Sequence, residues 1–151
     1  MARRRQGTSG SSALGTRDYR RLASFRYALR RYLHFSEAET ARVGLTGQQY
    51  QAMLAVRGHA GGAPATIAEF AREMLIRHNS AVGLVDRLVA QGMLARRRLA
   101  EDRRKVGLQL TPAGERVLRD LAAVHRRKLR RIGPGIHRLL GELAGAWRRP
   151  R

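Results

Sequence analysis

The ten residues from Asp102 to Thr111, Asp-Arg-Arg-Lys-Val-Gly-Leu-Gln-Leu-Thr, constrain this chain more than any other stretch. Val106, Leu108 and Leu110 alternate with Gly107 and Gln109, the period of two that marks a half-buried strand. Arg103, Arg104 and Lys105 come just before them with no apolar neighbour, so they project into solvent or onto a polyanion. A second short strand, Leu94 to Arg98, precedes this turn. The two strands are expected to pair antiparallel, with the charge at the tip.

Helices surround the hairpin. From Asp18 to about His34, Tyr19, Leu22, Phe25, Leu29, Tyr32 and Leu33 recur at steps of three and four, and arginines fill the other face. A second helix opens at Thr46, where Thr46 and Gln49 have capping-box spacing and Leu45 can staple onto Tyr50, and it ends near Arg57-Gly58. Thr66 and Glu69 repeat the box ahead of Ile67, Phe70, Ala71, Met74 and Leu75, predicting a helix of about ten residues. After a turn at Ile76-Arg77, Ala81, Leu84, Val85 and Leu88 form the inner stripe of a helix closed by Gly92 at the C′ position. His78, Asn79, Val82 and Gly83 are left on its outer face. Beyond the hairpin, Thr111-Pro112 is an N-cap with proline at N1, opening a long helix expected to run to about Ile132. Gly133-Pro134-Gly135 is expected to break it before a last amphipathic helix marked by Ile136, Leu139, Leu140, Leu143 and Trp147.

Three compact helices followed by a hairpin is the order of a winged helix-turn-helix. The expected fold is therefore mainly α with a small β-hairpin wing, and this core is flanked by N- and C-terminal helices that suit dimerisation. Residues 1–16, with Arg3-Arg4-Arg5 and then Gly, Ser and Thr, read as a disordered basic arm. Residues 17–151 read as a single domain, with dimerisation helices at 17–44 and 112–151 and the DNA-binding lobe at 45–111.

Composition narrows the partners. The formal charge is +20 over 151 residues, and all but two of the 31 basic residues are arginine. That excess points to a polyanion, although GC-rich coding also enriches arginine, so the placement of the charge must carry the argument. The absence of cysteine excludes a disulfide framework, a Cys-based zinc site and a thiol-based oxidant sensor. No apolar run reaches membrane-span length and no N-terminal signal region appears, which predicts a cytoplasmic chain. His34, His59, His78, His125 and His137 have no paired ligand spacing, and neither a phosphate loop nor a catalytic motif is present. No cofactor, metal or enzymatic activity is expected.

The segment from Ile67 to Gly114 resembles the MarR transcriptional regulators. The resemblance lies in Leu84-Val85-Asp86-Arg87-Leu88, in Gly92-Met93-Leu94 leading to Arg96, and in Asp102-x-Arg104 followed by Leu110-Thr111-Pro112-x-Gly114. It implies a homodimer that lays the helix from about His78 to Gln91 in a major groove of double-stranded DNA and its wing over the adjacent minor groove. It makes Arg104 the wing-tip residue and has Asp102 brace the wing by an ion pair with Arg77 or an arginine near the hairpin base. It also implies a small aromatic or anionic effector, with Tyr27, Arg30, His34 and Tyr50 on the elements that line the effector cleft; core packing explains the tyrosines equally well. The chain departs from the family at Arg77-His78-Asn79-Ser80, where Ser or Thr often opens the recognition helix, and at Val82-Gly83, which are often polar. A shifted start capped by Asn79 or Ser80 would accommodate the first departure.

The DNA-contact candidates are Arg77, His78, Asn79, Ser80 and Gly83 on the helix and Arg98, Arg103, Arg104 and Lys105 on the hairpin. An arginine in a narrow minor groove gains from the focused negative potential there. Arg103 and Lys105 suit phosphate, which gives salt-dependent affinity with little discrimination. Asn79 is either a bidentate adenine reader or a cap that touches no base. Asp86 would repel phosphate, so an ion pair fits it better. The run Arg126, Arg127, Lys128, Arg130 and Arg131 reads as a solvated helix face. Two functions follow, a ligand-responsive dimeric regulator, expected to be a repressor, on a pseudo-palindromic operator, or a non-specific architectural nucleic-acid binder driven by charge.

Overall fold

The computed structural model describes residues 14–146; most of the basic arm and Trp147 lie outside them. The elements run α1 (Thr16–Ala41), α2 (Gly47–Gly58), α3 (Ile67–Glu73), α4 (His78–Ala90), β1 (Leu94–Arg98), β2 (Val106–Leu110) and α5 (Pro112–Ala146). The chain divides into two compact units, one of residues 31–131 and one made of the segments before and after it.

The first unit is a winged helix. Thr46 and Thr66 each accept the N3 backbone N–H, and Gln49 and Glu69 reach back to the cap N–H, so both capping boxes form. Leu45 and Tyr50, the staple pair, are both buried. Around Phe70, Met53, Leu84, Leu88, Leu94 and Leu108, all under 2% exposed, α2, α3, α4 and the hairpin share one core, which Leu118 and Leu121 of α5 complete. Gly92 takes φ 73° just past α4, the left-handed C′ position read from the sequence.

Buried polar chemistry joins α1, α2 and α5 within this unit. His125 is 3% exposed, with Nδ1 2.7 Å from the Leu121 carbonyl and Nε2 2.8 Å from Ser36 Oγ. A carbonyl can only accept, so Nδ1 carries a proton and donates to it, while Nε2 is hydrogen-bonded to the serine hydroxyl. Tyr50 stacks on the imidazole at 4.4 Å. Burial pushes the Tyr50 phenol above its ordinary range, and nearby Tyr32 adds to the effect.

Several expectations need correction, beginning with the first helix, which runs on to Ala41 rather than ending near His34. Gly133-Pro134-Gly135 does not break the last helix, because α5 continues for 35 residues with Pro134 inside it. Proline removes one intrahelical hydrogen bond, but Ile132, Ile136, Leu139 and Leu143 keep helical phase across the triplet, and Leu143 is buried; a break would put them out of register. Helix α3 has seven residues rather than about ten, since Leu75 turns left-handed at φ 55° and stands 92% exposed instead of facing the core. In β2, Val106 is 40% exposed while Gly107 is buried. The reason is a third extended segment ahead of α3: Leu108 N–H donates to the Ala65 carbonyl at 2.9 Å, and a Cβ on Gly107 would strike Pro64 and Leu99. Finally, α4 starts at His78 with Arg77 as its N-cap and no side-chain cap, so neither Asn79 nor Ser80 caps it.

In the second unit, Leu22, Phe25 and Leu29 of α1 are half-buried, whereas Tyr19 and Tyr27 are 60% and 57% exposed and Leu140 of α5 is 46% exposed.

Candidate nucleic-acid interface

Helix α4 is held from beneath by Ala81, Leu84, Val85 and Leu88, all at most 1% exposed, so its opposite face is fixed toward solvent. With no side chain at the cap, its first backbone N–H groups remain unpaired within the helix, at exposed Arg77, His78, Asn79 and Ser80. Such an end favours anionic groups.

The hairpin tip is shaped by Asp102. Its carbonyl accepts the Lys105 N–H at 2.9 Å to close a four-residue turn, and its Oδ1 accepts the Arg104 N–H at 3.0 Å. This Asx turn puts Arg103 and Arg104 at the two central positions with exposed side chains. The ion pair expected for Asp102 is therefore replaced: among the described residues no arginine side chain lies within ion-pair distance of it, because the short carboxylate is spent on its own turn. The strands pair in register from Leu94↔Leu110 to Arg98↔Val106. Arg96 and Arg98 thus share a face with Leu94, at period two.

A second carboxylate does pair. Asp86 Oδ1 on α4 lies 2.6 Å from Arg96 Nη2 on β1, binding the helix to the hairpin. Next to this pair, a groove is lined by Thr66, Ile67 and Ala68 at the start of α3, His78 and Val82 of α4, and Arg96, Arg104, Lys105 and Val106 of the hairpin. Upstream, His59 Nδ1 sits 2.5 Å from Glu73 Oε1, tying the glycine-rich loop to α3. Thr66 hydrogen bonds hold the Glu69 carboxyl below its usual range, helped by His59 and Arg72.

The folded chain brings His78, Arg104 and Lys105 to one groove, while Gly83 lies further along α4. Arg77, Arg98, Arg103, Arg104 and Lys105 have no carboxylate within ion-pair distance among the described residues. Arg96, Val82 and the first turn of α3 belong to the same surface but were not among the predicted contacts; the period-two step from Leu94 could have placed Arg96. Of the residues put near an effector, Tyr50 is core, stacked on His125, and His34 is exposed on α1; Tyr27 and Arg30 are exposed on the second unit. In the basic run of α5, Lys128 Nζ lies 4.7 Å over the Phe35 ring, and Arg126, Arg127, Arg130 and Arg131 are exposed. Among the described residues, no cluster of three or more His, Asp or Glu is arranged to hold a metal, and no helix is long and apolar enough to cross a membrane.

Residues 43–105 match the model of the MarR family. A search of the curated proteins finds no match. Among solved structures, AbsC, a MarR family transcriptional regulator from Streptomyces coelicolor, is 19% identical with a TM-score of 0.71, over 91% of this chain and 94% of that one. A probable transcriptional regulator from Pseudomonas aeruginosa is 28% identical with a TM-score of 0.59, over 80% and 92%. A S. aureus MepR variant bound to an oligodeoxyribonucleotide is 13% identical with a TM-score of 0.64, over 88% and 99%.

Proposed function

Residues 43–105 carry the sequence signature of the MarR family and the described residues carry its winged-helix fold; from that premise we propose that this protein is a DNA-binding transcriptional regulator, acting as a homodimer on a pseudo-palindromic operator. The observation that carries the reading is the shared surface of α4 and the wing. An uncapped helix start and two hairpin cations, Arg104 and Lys105, which have no carboxylate within ion-pair distance among the described residues, flank one groove, and Asp86–Arg96 links the two elements. Helix α4 enters a major groove with His78, Asn79 and Ser80 foremost, and Arg104 leads the wing into the adjacent minor groove. Arg77, Arg98, Arg103 and Lys105 hold phosphates. The described parts of 17–44 and 112–151 serve dimerisation, a role supported by the exposed Tyr19, Tyr27 and Leu140. Two α4 helices then meet half-sites about one helical turn apart.

Repression relieved by a small aromatic or anionic ligand is the regulatory half of the proposal, with Tyr27, Arg30 and His34 as its exposed candidates. Tyr50 can take part only by leaving His125. The charge of +20 favours a second reading, a non-specific nucleic-acid binder. Selection of genomic fragments on the full chain, followed by titration of the best fragment and a scrambled control across a salt series, separates the two. A regulator retains at least about 10³-fold preference at physiological salt, whereas a coating protein binds both fragments alike.

A further inference from the structure

Val82 is the unexplained residue of α4. It lies one position from Ala81 of the inner stripe, is half-buried, and is absent from the apolar side chains that pack on the core, a set that includes its helix neighbour Val89. Instead it lines the groove with His78 on its own helix and with Arg96, Arg104 and Lys105 of the hairpin. An aliphatic side chain among cations on the outer face adds nothing to the core and nothing to phosphate affinity. Gly83 beside it has no side chain to cover it, and even a Cβ there would meet nothing closer than Arg87 Nη1 at 3.6 Å.

Resting on the assignment of α4 to a major groove, we infer that Val82 reads the C5-methyl group of a thymine, which makes thymine at one fixed position of each half-site a specificity determinant. Thymine is the only standard base whose major-groove edge carries an apolar group. Valine can neither donate nor accept, so an adenine or cytosine amino group or a guanine O6 placed against it loses water and gains no partner. The same side chain therefore attracts one base and rejects the others. His78, one turn earlier on the same face, and Arg96 across the groove confine the base edge that Val82 meets.

Deoxyuridine differs from thymidine only by this methyl group, so it isolates the contact. The test is a scan of the selected operator with single thymine-to-uracil replacements, symmetric in both half-sites, titrated against the full chain and against Val82→Ala. Removing one methyl contact costs on the order of four-fold per half-site. The expected result is one position at which uracil weakens binding of the native protein by about that factor per half-site, with no uracil effect at that position for Val82→Ala. Alanine is a stronger helix former than valine, and the position lies outside the core, so the variant folds. Uracil tolerated at every position by a native protein that still distinguishes operator from scrambled duplex overturns the inference and leaves the function intact. A uracil effect that persists unchanged in Val82→Ala overturns it too, by assigning the methyl to another side chain. Equal binding to operator and scrambled duplex overturns the regulator reading itself.

Discussion

Asp86 and Arg96 face each other across 2.6 Å, one carboxylate on the exposed side of α4 and one guanidinium on β1. With side chains 58% and 35% exposed, the pair adds little to stability, but it links the wing to α4. In the proposed DNA complex it also cancels a negative charge that would otherwise face phosphate. Arg96→Ala and Asp86→Ala should each change unfolding free energy by less than about 1 kcal/mol, with a coupling of about 0.2–1 kcal/mol in a double-mutant cycle. Operator affinity should fall further than stability in both, and for Asp86→Ala the loss rules out simple relief of repulsion. Urea denaturation and anisotropy titration measure the two effects separately.

Leu75 stands left-handed at φ 55° and is 92% exposed between α3 and α4, so its side chain gains nothing from burial while its backbone carries strain. Leu75→Asn, which suits this conformation, should stabilise the chain by about 0.5–1 kcal/mol. A lower urea midpoint would show that the leucine makes a contact worth more than the strain.

Gly114 explains the glycine of the Leu-Thr-x-x-Gly stretch. A Cβ there would land on the Met93 carbonyl oxygen, where Thr111 N–H also donates at 3.0 Å to join the start of α5 to the hairpin base. The obstacle is backbone, so it cannot swing aside. Gly114→Ala should cost more than about 2 kcal/mol, read from the thermal midpoint, whereas Gly141→Ala, where nothing lies within 4 Å, should be neutral or stabilising.

Glu69 gives a pH dependence with a definite sign. Hydrogen bonds from the Thr66 backbone and hydroxyl, then His59 and Arg72, hold its carboxyl below the ordinary range in the folded chain. The unfolded chain binds the proton more readily, so the stability is present above the ordinary glutamate range and is lost as pH falls through the lowered folded value. Glu69→Gln keeps the capping geometry, as Gln49 does for α2, and should show a smaller loss of urea midpoint between about pH 5 and pH 3 than the native chain. Equal slopes would contradict the assignment.

The legible parts of the molecule are those where one local rule decides. Capping boxes at Thr46 and Thr66, the inner stripe of α4 and the two strands all follow from spacing. What escaped required knowledge of neighbours. Gly107 is buried because Pro64 lies over it, which period-two alternation within β2 cannot report. Pro134 is carried by the apolar phase on both sides of it, although its local propensity is to break. Asp102 spends its carboxylate on its own turn, a choice between two hydrogen-bonding partners that charge pairing alone does not resolve. Leu75 shows that helical spacing of an apolar residue does not fix its φ.

The central claim is that the wing and α4, rather than the chain's general charge, bind DNA. Anisotropy titration of the selected operator against native protein, Arg104→Ala and Arg130→Ala, each across a salt series, tests it most directly. The account predicts an affinity loss of about ten-fold or more for Arg104→Ala with the melting temperature unchanged, while Arg130→Ala, exposed on α5, shifts the salt slope by at most about one. Equal losses from the two variants would contradict it and assign binding to the arginine content of the whole chain.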